Sequence, residues 1–305
     1  MAVDTVLKKA GFIVSCECRA RPSCFDFAAR KDGKAVFVKT QPDIGSFSLK
    51  DSRELKGIAE FFTASSILIG EKTREKPLED DTVYSRYAIP TITSRTLENI
   101  VLQKTHPLIQ ANPGGYYVEI DGEAIKRRRQ ELGLSVGEAA KLIGISRRTI
   151  YGYERGMTKA SVTAAYNMMS TLGVPVARPV DIFENSKRQH KCCFLTSARR
   201  IIAKNILLQK ILKFAHYRIT AVGRAPFDFV INVPEYKVCI IGGVAGNQEP
   251  QLNARVDEIL SVSQVVQAHP ILITEGRAPL DKSIMCIDSE AFSRIRNPED
   301  LIMSC

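Results

Sequence analysis

The sequence predicts a multidomain protein in which two similar α/β domains flank a central all-α domain. Three observations lead to this prediction. A chain of 305 residues exceeds the size at which a single hydrophobic core usually stops growing. The two flanks share an order of apolar blocks, and the centre contains short amphipathic segments separated by glycines. We therefore expect domains at residues 1–105, 115–185 and 190–305, joined by linkers of turn-forming and polar residues.

The flanks contain an internal repeat. Residues 25–40, FDFAARKDGKAVFVKT, align without gaps with residues 227–242, FDFVINVPEYKVCIIG. Farther along, SSILIGEK at 65–72 matches HPILITEG at 269–276, and later blocks keep the same order. In each copy a short helix, three strands, an amphipathic helix and a buried strand follow one another, which predicts a mixed sheet flanked by helices. We interpret each flank as a copy of one domain.

The centre has the pattern of three short helices joined by tight turns. Residues 123–131 form a basic amphipathic segment, and Ser135 is a suitable N-cap for a helix over residues 136–143. Gly144 permits the positive φ that a tight turn requires, and a third helix then begins at Ser146. This arrangement predicts a helix-turn-helix.

The run LGLSVGEAAKLIGISRRTIYGYERG, residues 132–156, resembles the Cro-type, lambda-repressor-like family of DNA-binding domains. One departure is Val136, which stands where many family members have a Gln that contacts the DNA backbone. The resemblance also implies that Arg129 forms a structural salt bridge with Glu154, because family members pair the equivalent Arg with the Glu of their Glu-x-Gly.

A recognition helix places the side chains of its first turns in the major groove, where each base pair has a distinct donor and acceptor pattern. Arg147 and Arg148 stand at the start of this helix, and either could make a bidentate contact to guanine. Nearby cations are candidates for contacts to the DNA backbone, although those in the run 126–129 could equally solvate a helix face. The predicted DNA-binding residues are Ser146, Arg147, Arg148, Thr149, Tyr151, Arg155, Lys141 and Lys126, with Arg127, Arg128 and Lys159 as further backbone contacts.

The flanks resemble the restriction-endonuclease-like core, whose nuclease members carry a PD-(D/E)xK motif. The resemblance implies an Asp at the second strand and an acidic-x-Lys on the third, which together hold a divalent metal. Asp26 and Asp228 fall at the Asp position. The third strand reads Phe37-Val38-Lys39 in the first copy and Cys239-Ile240-Ile241 in the second, so the second carboxylate is absent from both. We therefore expect no metal ligand and no catalytic residue in either flank.

Charge and composition narrow the functional class. The formal net charge is +10, and residues 123–178 carry ten Lys and Arg against four Glu, so we expect an anionic partner for the centre. No apolar run approaches the roughly 18 residues that a membrane helix requires, and no signal peptide is recognisable, which favours a cytoplasmic protein. The eight cysteines lack the spacing of a zinc site and are expected to be reduced. We predict no cofactor.

The whole arrangement resembles a family of archaeal helix-turn-helix transcriptional regulators, which implies regulation by binding of double-stranded DNA. We expect a sequence-specific regulator, not an enzyme, that reads the major groove with the helix starting at Ser146. A homodimer through the flanking domains is expected, because Cro-type domains bind half-sites.

Two alternative functions stay open at this point. One is a nuclease or DNA-repair enzyme that uses the centre for targeting, in which Glu17 or Glu54 would lend the first copy a carboxylate. The other is an adaptor that binds the transcription machinery. The missing carboxylates argue against the nuclease, and the paired arginines argue against the adaptor.

Overall fold

A computed structural model describes residues 2–184, 209, 211, 218–246, 249–275 and 283–295 of the chain. The helices among these residues are α1 (Val3–Lys9), α2 (Leu49–Phe61), α3 (Ser94–Gln103), α4 (Gly122–Glu131), α5 (Val136–Ile143), α6 (Arg147–Glu154), α7 (Val162–Leu172), α8 (Leu252–Val266) and α9 (Ser289–Arg294). The strands are β1 (Ile13–Val14), β2 (Phe27–Lys31), β3 (Lys34–Thr40), β4 (Ser65–Ile69), β5 (Lys72–Thr73), β6 (Lys76–Pro77), β7 (Thr82–Arg86), β8 (Ile89–Ile92), β9 (Ile109–Asn112), β10 (Gly115–Val118), β11 (Ala160–Ser161), β12 (Arg218–Ala221), β13 (Phe229–Val233), β14 (Val238–Ala245), β15 (His269–Thr274) and β16 (Met285–Asp288). The linker predicted just before residue 190 lies outside the described residues.

The described residues form two compact units. The first contains residues 2–41 and 45–68 together with the described residues from 183 onward, and the second contains residues 42–44 and 69–182. The second half of the predicted first domain therefore belongs to the unit that holds the central helices. The domain limits 1–105, 115–185 and 190–305 stay a prediction.

The first unit begins with the sheet β1-β2-β3-β4, with α1 and α2 packed beside it. The β2–β3 hairpin turns at Asp32-Gly33, where both residues have positive φ, as the twist of a two-residue hairpin requires. Phe37, Leu55 and Ile58 are fully buried in the core of this part. The turn is the one that the Asp-Gly pair predicts.

The same unit contains a second mixed sheet, in the order β12-β13-β14-β15-β16. The first three strands are antiparallel, and β15 and β16 are parallel to β14. Helix α8 lies between β14 and β15 in the chain and provides the crossover that parallel strands need. Phe229, Ile231, Ile240, Ile271 and Phe292 form the core. The mixed sheets expected for the flanks are present.

The two sheets of the first unit begin with the same backbone hydrogen bond. The Asp26 N–H donates to Val38 O and the Asp228 N–H donates to Gly242 O, both at 2.8 Å. Val38 therefore corresponds to Gly242, two positions beyond the partner that the gapless alignment predicts. The shift arises in the turn, because four residues, 234–237, separate β13 from β14, whereas two separate β2 from β3.

This register corrects one sequence prediction. In the second sheet the positions of the acidic residue and the Lys are Ile241 and Gly243, and the prediction that they are Cys239 and Ile241 was wrong. The corrected positions still lack both a carboxylate and an amine. Gly242 itself lies under the ring of Phe229, which a side chain at that position would overlap.

Two buried carboxylates join the halves of the first unit reciprocally. Glu54 on α2 accepts backbone N–H groups of residues 223–224 through Oε2, at 3.0 and 2.7 Å. Glu258 on α8 accepts those of residues 19–20 through Oε1, at 2.6 and 2.7 Å. Each carboxylate thus accepts hydrogen bonds from the backbone between the first two strands of the sheet in the other half.

The second unit contains a sheet in the order β8-β7-β9-β10-β11 and the helices α3 to α7. Helices α4 to α7 enclose a hydrophobic core that includes Ile125, Ala139, Ile143, Ile150 and Met168. The small side chains of Ala139 and Ala140 are buried there and let the helices approach closely.

The prediction of an all-α centre was wrong. The hairpin β9–β10 forms in the expected linker and at the start of the predicted central domain. Strand β10 also pairs with β11, which lies between α6 and α7 in the chain. Val118 and Ile120 are buried in the helical core, and Ile109 packs against it. Their alternating apolar side chains therefore hold this strand pair against the helices.

Candidate nucleic-acid interface

Helix α4 packs unusually close to the C-terminal end of α6. Asp121 caps α4 by accepting the Ala124 N–H at 3.2 Å. The next residue, Gly122, is buried, and a Cβ there would overlap the carbonyl oxygens of Tyr153 and Glu154. A glycine at this position is therefore required for the two helices to meet.

An ion pair fixes the same two helices. Arg129 on α4 donates to Glu154 on α6 twice, from Nε to Oε1 at 2.6 Å and from Nη2 to Oε2 at 3.1 Å. Its third nitrogen, Nη1, donates to Leu134 O in the turn before α5, at 2.9 Å. Both side chains are about nine-tenths buried, and the Glu154 carboxylate raises the pKa of Arg129. One guanidinium thus links α4, the following turn and α6.

Local signals define both ends of α5. The Ser135 hydroxyl accepts the Glu138 N–H at 3.2 Å, and the Glu138 carboxylate accepts the Ser135 N–H at 2.8 Å, which completes a capping box. These hydrogen bonds lower the pKa of Glu138. Helix α5 ends at Gly144, whose φ of 79° is the left-handed conformation that glycine adopts without strain.

Helix α6 begins at its predicted cap. Ser146 Oγ accepts the Thr149 N–H at 3.0 Å, and the two hydroxyls are 2.7 Å apart. Ile150 and Tyr153 are buried on the inner face of α6. Ser146 and Thr149 therefore stabilise the first turn of the helix. The face opposite Ile150 and Tyr153 points away from the core and can contact a partner.

That outer face carries Arg147, Arg148, Tyr151 and Arg155, all exposed. Neither Arg147 nor Arg148 has a hydrogen bond or ion pair with the described residues. The Arg155 guanidinium lies over the Tyr151 ring, 4.3 Å from its centroid. These two side chains therefore stack on each other at the second and third turns. The first turn of α6 thus presents two guanidinium groups whose donors are available to an external acceptor.

The other predicted cations fall into two groups. Lys126, Arg127 and Lys141 are exposed on α4 and α5. Arg128 instead donates to Leu172 O at 3.0 Å and pairs with Glu131 on its own helix. Lys159 is held by Gln110 and lies 3.9 Å from Glu119. Arg128 and Lys159 have these partners inside the unit, whereas the first group points into solvent.

The flanking Asp residues are surrounded by donors of the chain itself. Asp26 accepts Lys39 Nζ at 2.6 Å, and its other oxygen accepts the N–H and hydroxyl of Thr40 at 2.6 and 2.5 Å. Phe37, at the position of the missing carboxylate, is fully buried. A cation at Asp26 would have to displace the ammonium group and would gain no second carboxylate from this strand.

Asp228 is neutralised by two arginines. Arg21 Nη1 lies 2.8 Å from Asp228 Oδ1, Arg255 Nη2 binds Oδ2, and the Val244 N–H donates to Oδ2 at 2.7 Å. Arg255 is 1% exposed and also pairs with Glu249. A buried guanidinium therefore neutralises this carboxylate. Across the described residues, no group of three or more His, Cys, Asp or Glu is placed to hold a metal.

Sequence reasoning missed two features: the buried Arg255, and the placement of the Arg147 guanidinium. Arg255 occupies the apolar face of α8, with Leu252 three residues before it and Ile259 four residues after it. An Arg at a core position of a helix implies a buried anionic partner, and that signal was present in the sequence. The placement of the Arg147 guanidinium against α5, which is described below, has no comparable signal in the sequence.

Comparison with known proteins agrees with both parts of this architecture. Residues 1–107 match a model described as PD-(D/E)XK superfamily domain, and residues 125–178 match a model described as Helix-turn-helix. Proteins named "Putative HTH-type transcriptional regulatory protein" from Methanococcoides burtonii, Methanosarcina acetivorans and Methanocella arvoryzae are 30%, 31% and 32% identical to this chain. The matches cover 97%, 97% and 98% of this chain and 92% of each relative. The chain belongs to this family.

Membership in the family of HTH-type transcriptional regulatory proteins confirms the resemblance found in the sequence, including its archaeal character. It also confirms a nuclease-like fold in the first flank and a helix-turn-helix in the centre. None of the helices in the described part of the chain has the length and apolar character needed to cross a bilayer.

Proposed function

We propose that the protein is a sequence-specific DNA-binding transcriptional regulator that reads the major groove with α6. The observation that carries this proposal is the pair of exposed guanidinium groups, Arg147 and Arg148, at the start of a helix that the Arg129–Glu154 ion pair holds in place. The proposed interface comprises Ser146, Arg147, Arg148, Thr149, Tyr151, Arg155, Lys141 and Lys126.

The mechanism follows from this geometry. In a helix-turn-helix the second helix enters the major groove with its N-terminal residues against the base edges. A guanidinium can donate two parallel hydrogen bonds to O6 and N7 of guanine, which distinguishes that base from the other three. Lys126 and Lys141 supply charge for phosphates, which sets affinity without selecting a sequence. Ser146 and Thr149 keep the first turn of α6 in shape.

A selection experiment tests the proposal. The full-length protein is incubated with duplexes that contain a random central segment, and bound DNA is amplified over several rounds. We expect enrichment of one sequence motif, and loss of enrichment in a variant with Arg147→Ala and Arg148→Ala together. A wild-type protein that binds all duplexes equally would contradict sequence-specific recognition.

We also propose that the flanks are copies of one nuclease-like domain. The supporting observations are the matching Asp26 and Asp228 hydrogen bonds and the exchange of carboxylate contacts by Glu54 and Glu258.

The contacts of Glu54 and Glu258 occupy surfaces of α2 and α8 within the first unit. A homodimer through the flanks, which would bring together two helix-turn-helix domains, therefore uses other surfaces, such as the edge strand β1 with Ile13 60% exposed. Sedimentation of the wild type and Ile13→Lys tests this, and identical masses would contradict a β1 contact.

The nuclease is the second candidate, since residues 1–107 match a PD-(D/E)XK domain. We propose that the protein does not cleave DNA, because Lys39, Arg21 and Arg255 already compensate the two Asp residues. Supercoiled, linear and branched DNA incubated with Mg²⁺ or Mn²⁺ should stay intact. Cleavage that disappears in Asp26→Ala would favour the nuclease.

As a regulator that acts on the chromosome, the protein would work in the cytoplasm.

A further inference from the structure

The two arginines at the start of α6 have different surroundings. Arg147 is turned toward α5, and its guanidinium lies against Gly137, in the first turn of that helix. A Cβ at Gly137 would be 2.7 Å from Arg147 Nε, 2.9 Å from Nη2 and 3.0 Å from Cζ. The absence of a side chain at 137 is therefore what allows this placement.

We infer that Gly137 is a positioning residue that assigns the two arginines to different parts of the DNA: Arg147 to a phosphate and Arg148 to a base. The inference rests on the proposed function and refines it. In a helix-turn-helix the first helix crosses the DNA backbone and the second lies in the groove. A guanidinium laid against α5 is accordingly on the backbone side of α6.

Arg148 follows one residue later, about 100° further round the helix. It is exposed, and no hydrogen bond or ion pair from the described part of the chain holds it away from a groove. A planar fork with five free donors suits the guanine edge.

The predicted effects differ in kind. A phosphate contact releases a counterion, so its loss weakens all duplexes alike and lowers the salt slope of log K by about one. A base contact selects sequence, so its loss reduces the preference for the selected duplex over a scrambled one by about 5- to 150-fold. We expect the first result for Arg147→Ala and the second for Arg148→Ala.

The deciding variant is Gly137→Ala in the full-length protein. The added methyl group displaces only the end of a flexible, exposed side chain, and Ala favours helix, so the melting temperature should not fall. Arg147 is still present, but its guanidinium can no longer lie against residue 137. The salt slope should therefore drop toward that of Arg147→Ala. In the double variant, Arg147→Ala should then add little to Gly137→Ala.

Gly152→Ala is the matched control. It makes the same change within α6, where a Cβ would meet only the Thr158 hydroxyl at 3.4 Å. We expect wild-type binding and salt dependence. The probes are the duplex that the wild type selects from the random library and a scrambled duplex of equal length, each titrated from low to moderate salt.

The outcomes separate this inference from the proposed function. If the wild type selects no sequence, the proposed function itself fails. If it selects one but Gly137→Ala binds with an unchanged salt slope, or Arg147→Ala relaxes sequence preference as Arg148→Ala does, only the inference is refuted. Should Gly137→Ala unfold, the comparison of the two Arg variants decides alone.

Discussion

The rings of Phe25 and Phe227 lie against each other in the first unit, with their centroids 6.2 Å apart and their planes inclined by 38°. Each Phe precedes one of the two Asp residues discussed above, and both rings are fully buried. In the same unit, Glu54 and Glu258 make the same kind of hydrogen bonds in opposite directions between the two parts. The N-terminal and C-terminal parts of the unit therefore stabilise each other through equivalent residues.

The first prediction concerns pH. Burial raises the pKa of the Glu258 carboxyl, although two backbone N–H groups oppose the shift. The native protein therefore retains a proton that the unfolded chain releases at lower pH. The contribution of Glu258 to the free energy of unfolding should fall as the pH rises from the ordinary Glu range through the raised pKa.

Glu258→Gln should remove this dependence while keeping an oxygen acceptor for residues 19–20. Urea unfolding from mildly acidic to neutral pH measures it, with Glu123→Gln, an exposed residue on α4, as the control. A Glu258→Gln profile that runs parallel to the wild type would contradict this prediction.

The second prediction concerns the ion pair of the helix-turn-helix. Arg129→Ala leaves the buried Glu154 carboxylate without its partner and removes the hydrogen bond to Leu134 O. The free energy of unfolding of the second unit should fall by about 3–5 kcal/mol, because an uncompensated buried charge costs much more than a lost surface contact. Arg148→Ala, which removes an exposed Arg, should change it by less than about 0.5 kcal/mol. Equal urea midpoints for the two variants would show that the pair does not stabilise the unit.

The third prediction concerns a residue outside α6. Lys141 is exposed on α5, the helix that crosses the DNA backbone in this motif. Lys141→Ala should weaken binding to selected and scrambled duplexes by the same factor and reduce the salt slope by about one. Lys9→Ala, at the end of α1 in the other unit, is the control with the same change of charge. A loss confined to the selected duplex would mean that Lys141 reads a base.

The fourth prediction concerns Arg255. Arg255→Met removes the buried guanidinium that binds both Asp228 and Glu249, which should destabilise the first unit by about 3–5 kcal/mol. Restoring charge balance with Asp228→Asn in the same chain should recover part of the loss. Thermal unfolding with and without Mg²⁺ provides the second measurement. A melting temperature that rises with Mg²⁺ in the wild type but not in Asp228→Asn would indicate that Asp228 binds metal, contrary to this prediction.

The helix-turn-helix could be predicted from the sequence because its signals are local. Ser135, Gly144 and Ser146 each act on backbone groups within about four residues, so their spacing alone defines the helix ends. The repeated order of apolar blocks likewise predicted mixed sheets in both flanks. Family resemblance supplied the pairing of Arg129 with Glu154, and the structure joins them.

Other features depended on tertiary contacts. The register of β14 is set by the length of the turn at 234–237, which a gapless alignment cannot represent. The strands β9 to β11 form because Val118 and Ile120 pack into the core of the helices. Arg255 reaches Asp228 across 27 positions, and Arg147 rests on Gly137 only because α5 and α6 pack together. The sequence by itself determined the helices and their caps, since these depend on near neighbours. Only the tertiary structure decided which distant side chains meet, because such contacts require the folded backbone to bring them together.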